Sequence, residues 1–193
     1  MISQTSASIQ DLASRIDVSE DTIHSILINI NSHYRKFSVR RTRKRPRWIN
    51  APDPKLKTIQ KKILQRVLYK AKPHPDAHGF YPGKSILSNA RPHCKKNWVI
   101  SFDVKDFFPS TTQDMVRKSL LHEKLAIDPN LISQLCCLDG ALPQGAPTSP
   151  HLANLAFYEC DLKLKSFALS HSLNYTRYAD DMTFSGNELP DQI

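Results

Sequence analysis

The sequence lacks the features that mark a membrane-spanning or a secreted protein. No apolar run approaches the roughly 20 residues that a membrane-spanning helix needs. The first residues, MISQTSASIQDLAS, contain neither a basic segment nor an apolar core, so they do not resemble a secretory signal. Cysteine is scarce as well, and four cysteines without a Cys-x-x-Cys pair predict neither a zinc site nor a disulfide framework. These absences predict a reduced, cytoplasmic protein with no membrane partner.

Positive charge is present in excess, and it is unevenly distributed. The formal net charge of the 193 residues is +9. Residues 33–72 hold 15 Lys and Arg residues and a single acid, Asp53, whereas the rest of the chain holds 12 basic and 17 acidic residues. A compact basic block on a mildly acidic body indicates a polyanionic partner, most simply nucleic acid. A solvated basic face without a ligand would explain the charge equally well.

Hydrophobic periodicity predicts helices in the first part of the chain. Residues 5–30 are predicted to form two short helices, with Ser19 capping the second. They could form a DNA-reading helix-turn-helix, but a helical hairpin that packs on the next domain fits better. Residues 33–54 contain three prolines, which exclude a continuous helix and favour an extended loop or hairpin. An amphipathic helix is predicted over 55–70, and residues 73–93, rich in Pro, Gly and His, are predicted to form an irregular loop.

Two groups of aspartates stand at the ends of predicted strands. The apolar run WVISFDV, residues 98–104, is typical of a buried strand and contains Asp103 near its end. Asp180 and Asp181 lie between two β-rich segments of residues 174–186, which predict a hairpin with these acids at its tip. Carboxylates held rigidly are ligands that suit Mg²⁺, and two such ions can stabilise both oxygens of a phosphoryl transfer. An Asp-Asp pair by itself is usually only a turn.

Three motifs surround these acids in a fixed order. FDVKDFFPS (residues 102–110) resembles polymerase motif A, LPQGAPTSP (142–150) resembles motif B, and YADD (178–181) resembles the YxDD of motif C. On this ordered trio the sequence is identified as a member of the reverse transcriptases. HGFYPGKSILSNARPHCKK (78–96) contains an NAxxH signature and resembles the region ahead of motif A in bacterial retron enzymes. A group II intron enzyme or another bacterial reverse transcriptase is the alternative.

The resemblance implies an α+β polymerase right-hand fold. Residues 1–32 would then be an N-terminal helical segment, 33–97 a basic fingers region, and 98–193 a partial palm with an antiparallel sheet backed by helices. The chain stops twelve residues after Asp181, so we expect a truncated enzyme in which the thumb is absent. A catalytically silent RNA-binding remnant is therefore the second hypothesis, since the basic block would still attract RNA.

The resemblance also implies roles for individual residues. The implied catalytic residues and ligands of two Mg²⁺ ions are Asp103, Asp180 and Asp181, with Val104 as a further metal ligand through its carbonyl. The residues implied to contact the nucleotide are Phe108, Gln144, Gly145, Arg47 and Tyr178, of which Phe108 would be a steric gate against a 2′-hydroxyl. The residues implied to contact RNA are Arg40, Arg41, Arg43, Lys44, Arg45, Asn89 and His93. His93 could instead only hold its loop by hydrogen bonds.

The partners follow from the same resemblance. A retron enzyme uses a structured noncoding RNA as template and primer and consumes dNTPs. Its product is a branched RNA–DNA molecule, a multicopy single-stranded DNA. Such systems commonly serve anti-phage defence together with an effector protein.

Overall fold

The computed structural model describes residues 2–41, 44–123 and 125–188. They form two compact units, one made of Met1–Ala71 and Phe108–Ala153 and the other of Lys72–Phe107 and Asn154–Ile193. The helices are α1 (Ile2–Ile16), α2 (Glu20–Ile28), α3 (Pro54–Arg66), α4 (Ile86–Ala90), α5 (Phe107–Ser110), α6 (Gln113–His122), α7 (Pro129–Cys136), α8 (Ser149–Ala156) and α9 (Tyr158–Ser170). The strands are β1 (Tyr34–Arg41), β2 (Lys44–Pro52), β3 (Trp98–Asp103), β4 (Asn174–Tyr178) and β5 (Asp181–Gly186). This mixture of helices and small antiparallel sheets confirms the α+β class.

In the first unit, α1 and α2 form a packed helical hairpin. The Ser19 side chain accepts a hydrogen bond from the backbone N–H of Thr22, as expected of an N-cap. Ile23 and Ile26 are buried, and both helices pack against α7. The apolar face of α2 is therefore used inside the unit, which favours the helical hairpin over the DNA-reading alternative.

The basic stretch that follows is a β-hairpin. β1 and β2 pair in antiparallel register from Tyr34 opposite Pro52 to Arg41 opposite Lys44. They form a two-stranded sheet of their own, so Pro46 interrupts no inner strand. Of the two predicted alternatives, loop or hairpin, the structure has the hairpin.

Helix α3 joins this hairpin to the core of the first unit. Asp53 caps it, and its buried stripe contains Leu56, Ile59 and Ile63. The predicted helix over 55–70 ends early, at Arg66, and residues 68–70 form a 3₁₀ turn. The apolar spacing predicted the buried face correctly and the end of the helix less well.

In the second unit, β3, β5 and β4 form an antiparallel sheet in that order. Its core is a cluster of Ala168, Leu173, Tyr175 and Phe184, where α9 packs on β4. The prediction that residues 98–104 form a buried strand is wrong in one respect. Val99 is 54% exposed and Phe102 is 40% exposed, whereas β4, at the other edge of the sheet, is mostly buried because α9 packs on it.

Two further segments differ from expectation. The loop predicted over 73–93 is largely irregular, but it also contains α4 and a 3₁₀ turn at Arg91–His93. Ser149 as a cap and Pro150 in the first turn predict one helix from the end of motif B to about residue 170, but the structure breaks it at Phe157 into α8 and α9. No helix within the described residues is both long enough and apolar enough to cross a bilayer.

Candidate active site

The register of the three-stranded sheet brings the motif A and motif C aspartates together. Asp103 is the last residue of β3, and Asp181, the first of β5, lies directly opposite it. Directly opposed residues in an antiparallel pair have Cα atoms about 4.5–5.5 Å apart. Asp180 precedes β5, and its carbonyl accepts a hydrogen bond of 2.9 Å from the Val104 N–H. The predicted hairpin with acids at its tip is therefore present, and the end of β3 is bonded to it.

The carboxylates repel one another. Partial burial raises the pKa of Asp181, and the negative charges of Asp180 and Asp103 raise it further. A hard divalent cation would relieve this repulsion, and carboxylate and carbonyl oxygens are the donors that it prefers. The donor chemistry at the end of the sheet thus fits Mg²⁺. Among residues 2–41, 44–123 and 125–188, however, no three His, Cys, Asp or Glu side chains form a group ready to hold an ion, so binding requires these side chains to converge.

The turn that carries the acids is tight. Tyr178 ends β4 opposite Asp181, so only Ala179 and Asp180 connect the two strands. Two-residue hairpin turns need backbone in the left-handed region, and Ala179 has φ +59°. For a residue other than glycine this conformation costs about 1–2 kcal/mol. Contacts around the turn must therefore hold it.

Motif B contacts the basic hairpin within the first unit. The Gln144 carbonyl accepts a hydrogen bond of 2.8 Å from the backbone N–H of Asn50, on β2. Gly145 has φ +128°, and a Cβ there would lie 2.9 Å from Ile49 Cγ2 and 3.0 Å from the Asn50 carbonyl oxygen. Arg47 is exposed on the same strand, three residues before Asn50. The structure thus brings Gln144 and Gly145 against the strand that carries Arg47.

Phe108 lies within motif A, on the short helix α5. It is half-buried, while the preceding Phe107 is buried. Phe107 makes an edge-to-face contact with Phe157, with ring centroids 5.8 Å apart. Core packing is therefore the role of Phe107, whereas a face of Phe108 remains accessible for the steric gate predicted for it.

The basic hairpin places cations beside exposed aromatic rings. Lys36 Nζ lies 5.2 Å from the centre of the Trp48 ring, and Arg35 lies over Phe37. Trp48 is 57% exposed. Arg40 is also exposed on β1. Of the other basic residues predicted to contact RNA, Arg43 lies outside the described residues, as do the side chains of Arg41, Lys44 and Arg45.

Comparison with known proteins gives a matching family. Residues 34–192 match the family described as Reverse transcriptase (RNA-dependent DNA polymerase). The chain belongs to the reverse transcriptase family.

Retron enzymes are among the reverse transcriptases that it is similar to. The retron Ec86 reverse transcriptase of Escherichia coli is 36% identical over 186 residues, which cover 94% of this chain and 58% of the relative. The retron Mx65 reverse transcriptase of Myxococcus xanthus is 37% identical over 176 residues, covering 81% of this chain and 41% of the relative. These relatives confirm the predicted resemblance to the retron type. The chain spans about half the length of the relatives that it matches, 58% and 41% in these two cases.

The NAxxH signature of this reverse transcriptase packs on the three-stranded sheet. His93 is buried, and its two ring nitrogens share hydrogen bonds of 2.7 Å with the hydroxyls of Ser185 and Thr176. Burial lowers the pKa of His93, so the neutral ring is favoured. The Asn89 carbonyl accepts a hydrogen bond from Thr176. This geometry favours the alternative in which His93 holds its loop, and a contact of Asn89 or His93 with RNA stays a prediction.

Sequence reasoning missed a set of residues around the turn that carries Asp180 and Asp181. Arg177 is wholly buried and donates one hydrogen bond to the Ala179 carbonyl. Asp161 and Asn154 bind the rest of its guanidinium, and Gly79 lies against the Ala179 backbone. The available signal was weak: an arginine directly before YADD in a polar and aromatic strand, and an aspartate in a helix outside the three motifs.

Proposed function

We propose that this chain forms the fingers and palm of a retron-type RNA-directed DNA polymerase. In this proposal the enzyme adds dNTPs to a primer on a structured RNA template, with Mg²⁺ ions at Asp103, Asp180 and Asp181. The observation that carries the proposal is the register that sets Asp103 opposite Asp181, with the Asp180 carbonyl bonded to the Val104 N–H. Membership of the reverse transcriptase family supports the same reading.

The chain's own residues would mainly position the reactants. Bound Mg²⁺ would activate the primer 3′-hydroxyl and neutralise charge on the incoming triphosphate. The Val104 carbonyl is the further ligand proposed, and the hydrogen bond from the Val104 N–H keeps the hairpin tip at the end of β3. Tyr178, at the end of β4, would lie near the primer terminus.

A second group of residues would hold the nucleotide. Because Gly145 has no side chain, the backbone of Gln144 and Gly145 can approach a base pair closely. Arg47 would bind the triphosphate, because guanidinium presents several donors in a fixed fork. Phe108 would exclude the 2′-hydroxyl of an rNTP. Phe108→Val should therefore raise the ratio of rNTP to dNTP incorporation, and an unchanged ratio would contradict the steric gate.

The division of the chain into three segments and its binding partners are also part of the proposal. Residues 1–32 would be a helical segment, 33–97 the fingers and 98–193 the palm of the right-hand fold. A noncoding RNA would be template and primer, and the basic hairpin would bind its phosphates. A role in anti-phage defence with an effector protein, in the cytoplasm, follows from the retron type alone.

Primer extension on an RNA template, with dNTPs and Mg²⁺, tests the polymerase proposal. Asp180→Ala/Asp181→Ala should lower incorporation by roughly a hundredfold or more, because the metal supplies several kcal/mol of charge stabilisation. The matched control is Glu159→Gln, which removes an exposed negative charge on α9 of the same unit. Incorporation that survives the double substitution would contradict the proposed site.

Binding of RNA without catalysis is the second candidate function. It is favoured by the exposed Trp48 ring under Lys36 on a strongly basic hairpin, since aromatic rings and cations together suit single-stranded nucleic acid. Absence of incorporation, with RNA affinity that falls steeply as salt rises, would support this candidate. RNA affinity that does not depend on salt would contradict both.

A further inference from the structure

The guanidinium of Arg177 lies in a fully built cage inside the second unit. Nε and Nη2 donate to the two carboxylate oxygens of Asp161 at 2.9 and 2.7 Å. Nη1 donates to the Asn154 amide oxygen and to the Ala179 carbonyl, both at 2.8 Å. Arg177, Asn154 and Asp161 have no exposed surface at all. The Tyr175 hydroxyl donates to Asp161 as well, at 2.7 Å.

Aromatic rings complete the cage. The guanidinium carbon lies 4.8 Å from the centre of the Phe157 ring and 5.5 Å from that of Phe107. Such contacts stabilise a cation that has been removed from water. They also restrict the plane of the guanidinium, so the direction of Nη1 toward Ala179 is fixed.

The turn that Arg177 holds is the one that carries the catalytic acids. Ala179 has φ +59° and is followed directly by Asp180 and Asp181. The turn also meets Gly79, where a Cβ would lie 2.5 Å from the Ala179 nitrogen. The Asn154 amide nitrogen also donates a hydrogen bond of 2.8 Å to the Gly79 carbonyl. Asn154 therefore links the Arg177 guanidinium to the Gly79 backbone, which lies against the turn.

The hydrogen bond from Arg177 to the Ala179 carbonyl is not required for the ion pair with Asp161. Nε and Nη2 already neutralise Asp161 in a bidentate pair, and a buried ion pair is in general a weak source of net stability because of its desolvation cost. Nη1 makes no further contribution to charge neutralisation. Its effect is to fix a backbone carbonyl next to Asp180 in a conformation that alanine disfavours.

We propose that Arg177 is a positioning residue for the metal-binding acids, acting through the Ala179 carbonyl, with Asp161 and Asn154 orienting its guanidinium. This inference rests on the proposed function of Asp180 and Asp181. Loss of the Arg177–Ala179 bond should weaken metal binding by the folded chain, because partners that orient metal ligands typically contribute 10–100-fold to affinity.

The experiment measures Mn²⁺ binding by the whole chain, from the electron paramagnetic resonance signal of free Mn²⁺, alongside thermal unfolding. Arg177→Lys keeps the charge opposite Asp161, but a single ammonium cannot serve both Asp161 and the turn. Gly79→Ala keeps the ion pair of Arg177 with Asp161 and displaces the turn, because its Cβ would lie 2.5 Å from the Ala179 nitrogen. We expect each to raise the Kd for Mn²⁺ by roughly tenfold or more. Primer extension should show a lower kcat with an unchanged KM for dNTP.

The control variant is Ser185→Ala. Ser185 is wholly buried on β5 and bonded to His93, so its loss lowers the unfolding temperature without touching the turn. Its Kd for Mn²⁺ should equal that of the unsubstituted chain. If Arg177→Lys and Gly79→Ala behave like Ser185→Ala, with lower unfolding temperatures and an unchanged Kd, Arg177 is only structural and the inference is wrong.

Failure of the proposed function gives a different result. If Asp180→Ala/Asp181→Ala binds Mn²⁺ as tightly as the unsubstituted chain, these acids are not the metal site, and the inference is overturned with the function. If Arg177→Lys does not fold, Asn154→Ala decides instead, because it removes one of the two acceptors that orient Nη1 and leaves the ion pair with Asp161 in place; an unchanged Kd for Mn²⁺ in that variant would contradict the inference.

Discussion

Substitution of Gly145 by alanine tests the contact between motif B and the basic hairpin. Gly145 has φ +128°, in a region that only glycine adopts readily, and a Cβ would lie 2.9 Å from Ile49 Cγ2. The same Cβ would be 3.0 Å from the carbonyl oxygen of Asn50, and Asn50 also donates its N–H to Gln144. Gly145→Ala therefore adds backbone strain and forces the loop away from β2.

The magnitude follows from these two causes. Backbone strain of this kind costs on the order of 1–3 kcal/mol. Forcing an extra methyl group into a packed contact costs about 1–3 kcal/mol. Taking about 3 kcal/mol in total, and a shift of about 2–4 °C per kcal/mol for a chain of this size, the unfolding temperature should fall by about 6–12 °C.

Gly140 offers a matched control for the strain alone. It has φ +78°, but a Cβ there would meet nothing within 4 Å. Gly140→Ala should cost about 1–2 kcal/mol, hence about 2–8 °C. Thermal unfolding followed by circular dichroism compares the two variants. If both lower the unfolding temperature equally, the close approach of motif B to β2 carries no energy and the reasoning is refuted.

Three further predictions concern other parts of the chain. Cys136 and Cys137 are buried, and burial raises the pKa of each thiol to about 12, whereas the other two cysteines are exposed. Ellman's reagent should therefore react with two thiols in the native chain and with four after unfolding. Burial lowers the pKa of four histidines below 6.5, namely His74, His78, His93 and His151. The unfolded chain then binds more protons than the folded one, so the free energy of unfolding should fall as the pH drops below about 7. His93→Gln should make this dependence on pH less steep. A free energy of unfolding that stays constant between pH 7 and 5.5 would contradict the prediction. Single-stranded RNA should quench Trp48 fluorescence, and Trp48→Ala should weaken binding by about 1–3 kcal/mol per stacked base, with Trp98→Phe as the control; quenching that persists in Trp48→Ala would place the RNA elsewhere.

Patterns among neighbouring residues were sufficient to predict several elements of the fold. The Ser19 cap, the apolar stripe of α3 and the β-rich segments around YADD each depend on near neighbours in sequence, and each is present. The basic hairpin follows in the same way, because proline excludes a long helix whatever the rest of the chain does.

Tertiary context decided the features that were predicted wrongly. The apolar run of β3 is compatible with an inner or an edge strand, and no pattern within six residues separates the two. The break between α8 and α9 at Phe157 has no proline or glycine to announce it. Helix α7 is a short amphipathic segment whose buried face is used by α1 and α2, which lie about a hundred residues earlier in the chain.

The cage around Arg177 shows what motif recognition leaves out. The motifs identify which carboxylates are present, but the angle at which they are held depends on Asn154, Asp161 and Gly79, which lie far from YADD in sequence and become neighbours only in the fold. A silent RNA-binding remnant would need the basic hairpin, and the hairpin belongs to the other unit. The buried guanidinium donates to the carbonyl of the turn that bears Asp180 and Asp181, and the proposed polymerase gives that bond a use. The cage therefore favours the polymerase over the remnant, and the Mn²⁺ affinity of Gly79→Ala measures the same distinction without relying on nucleotide incorporation.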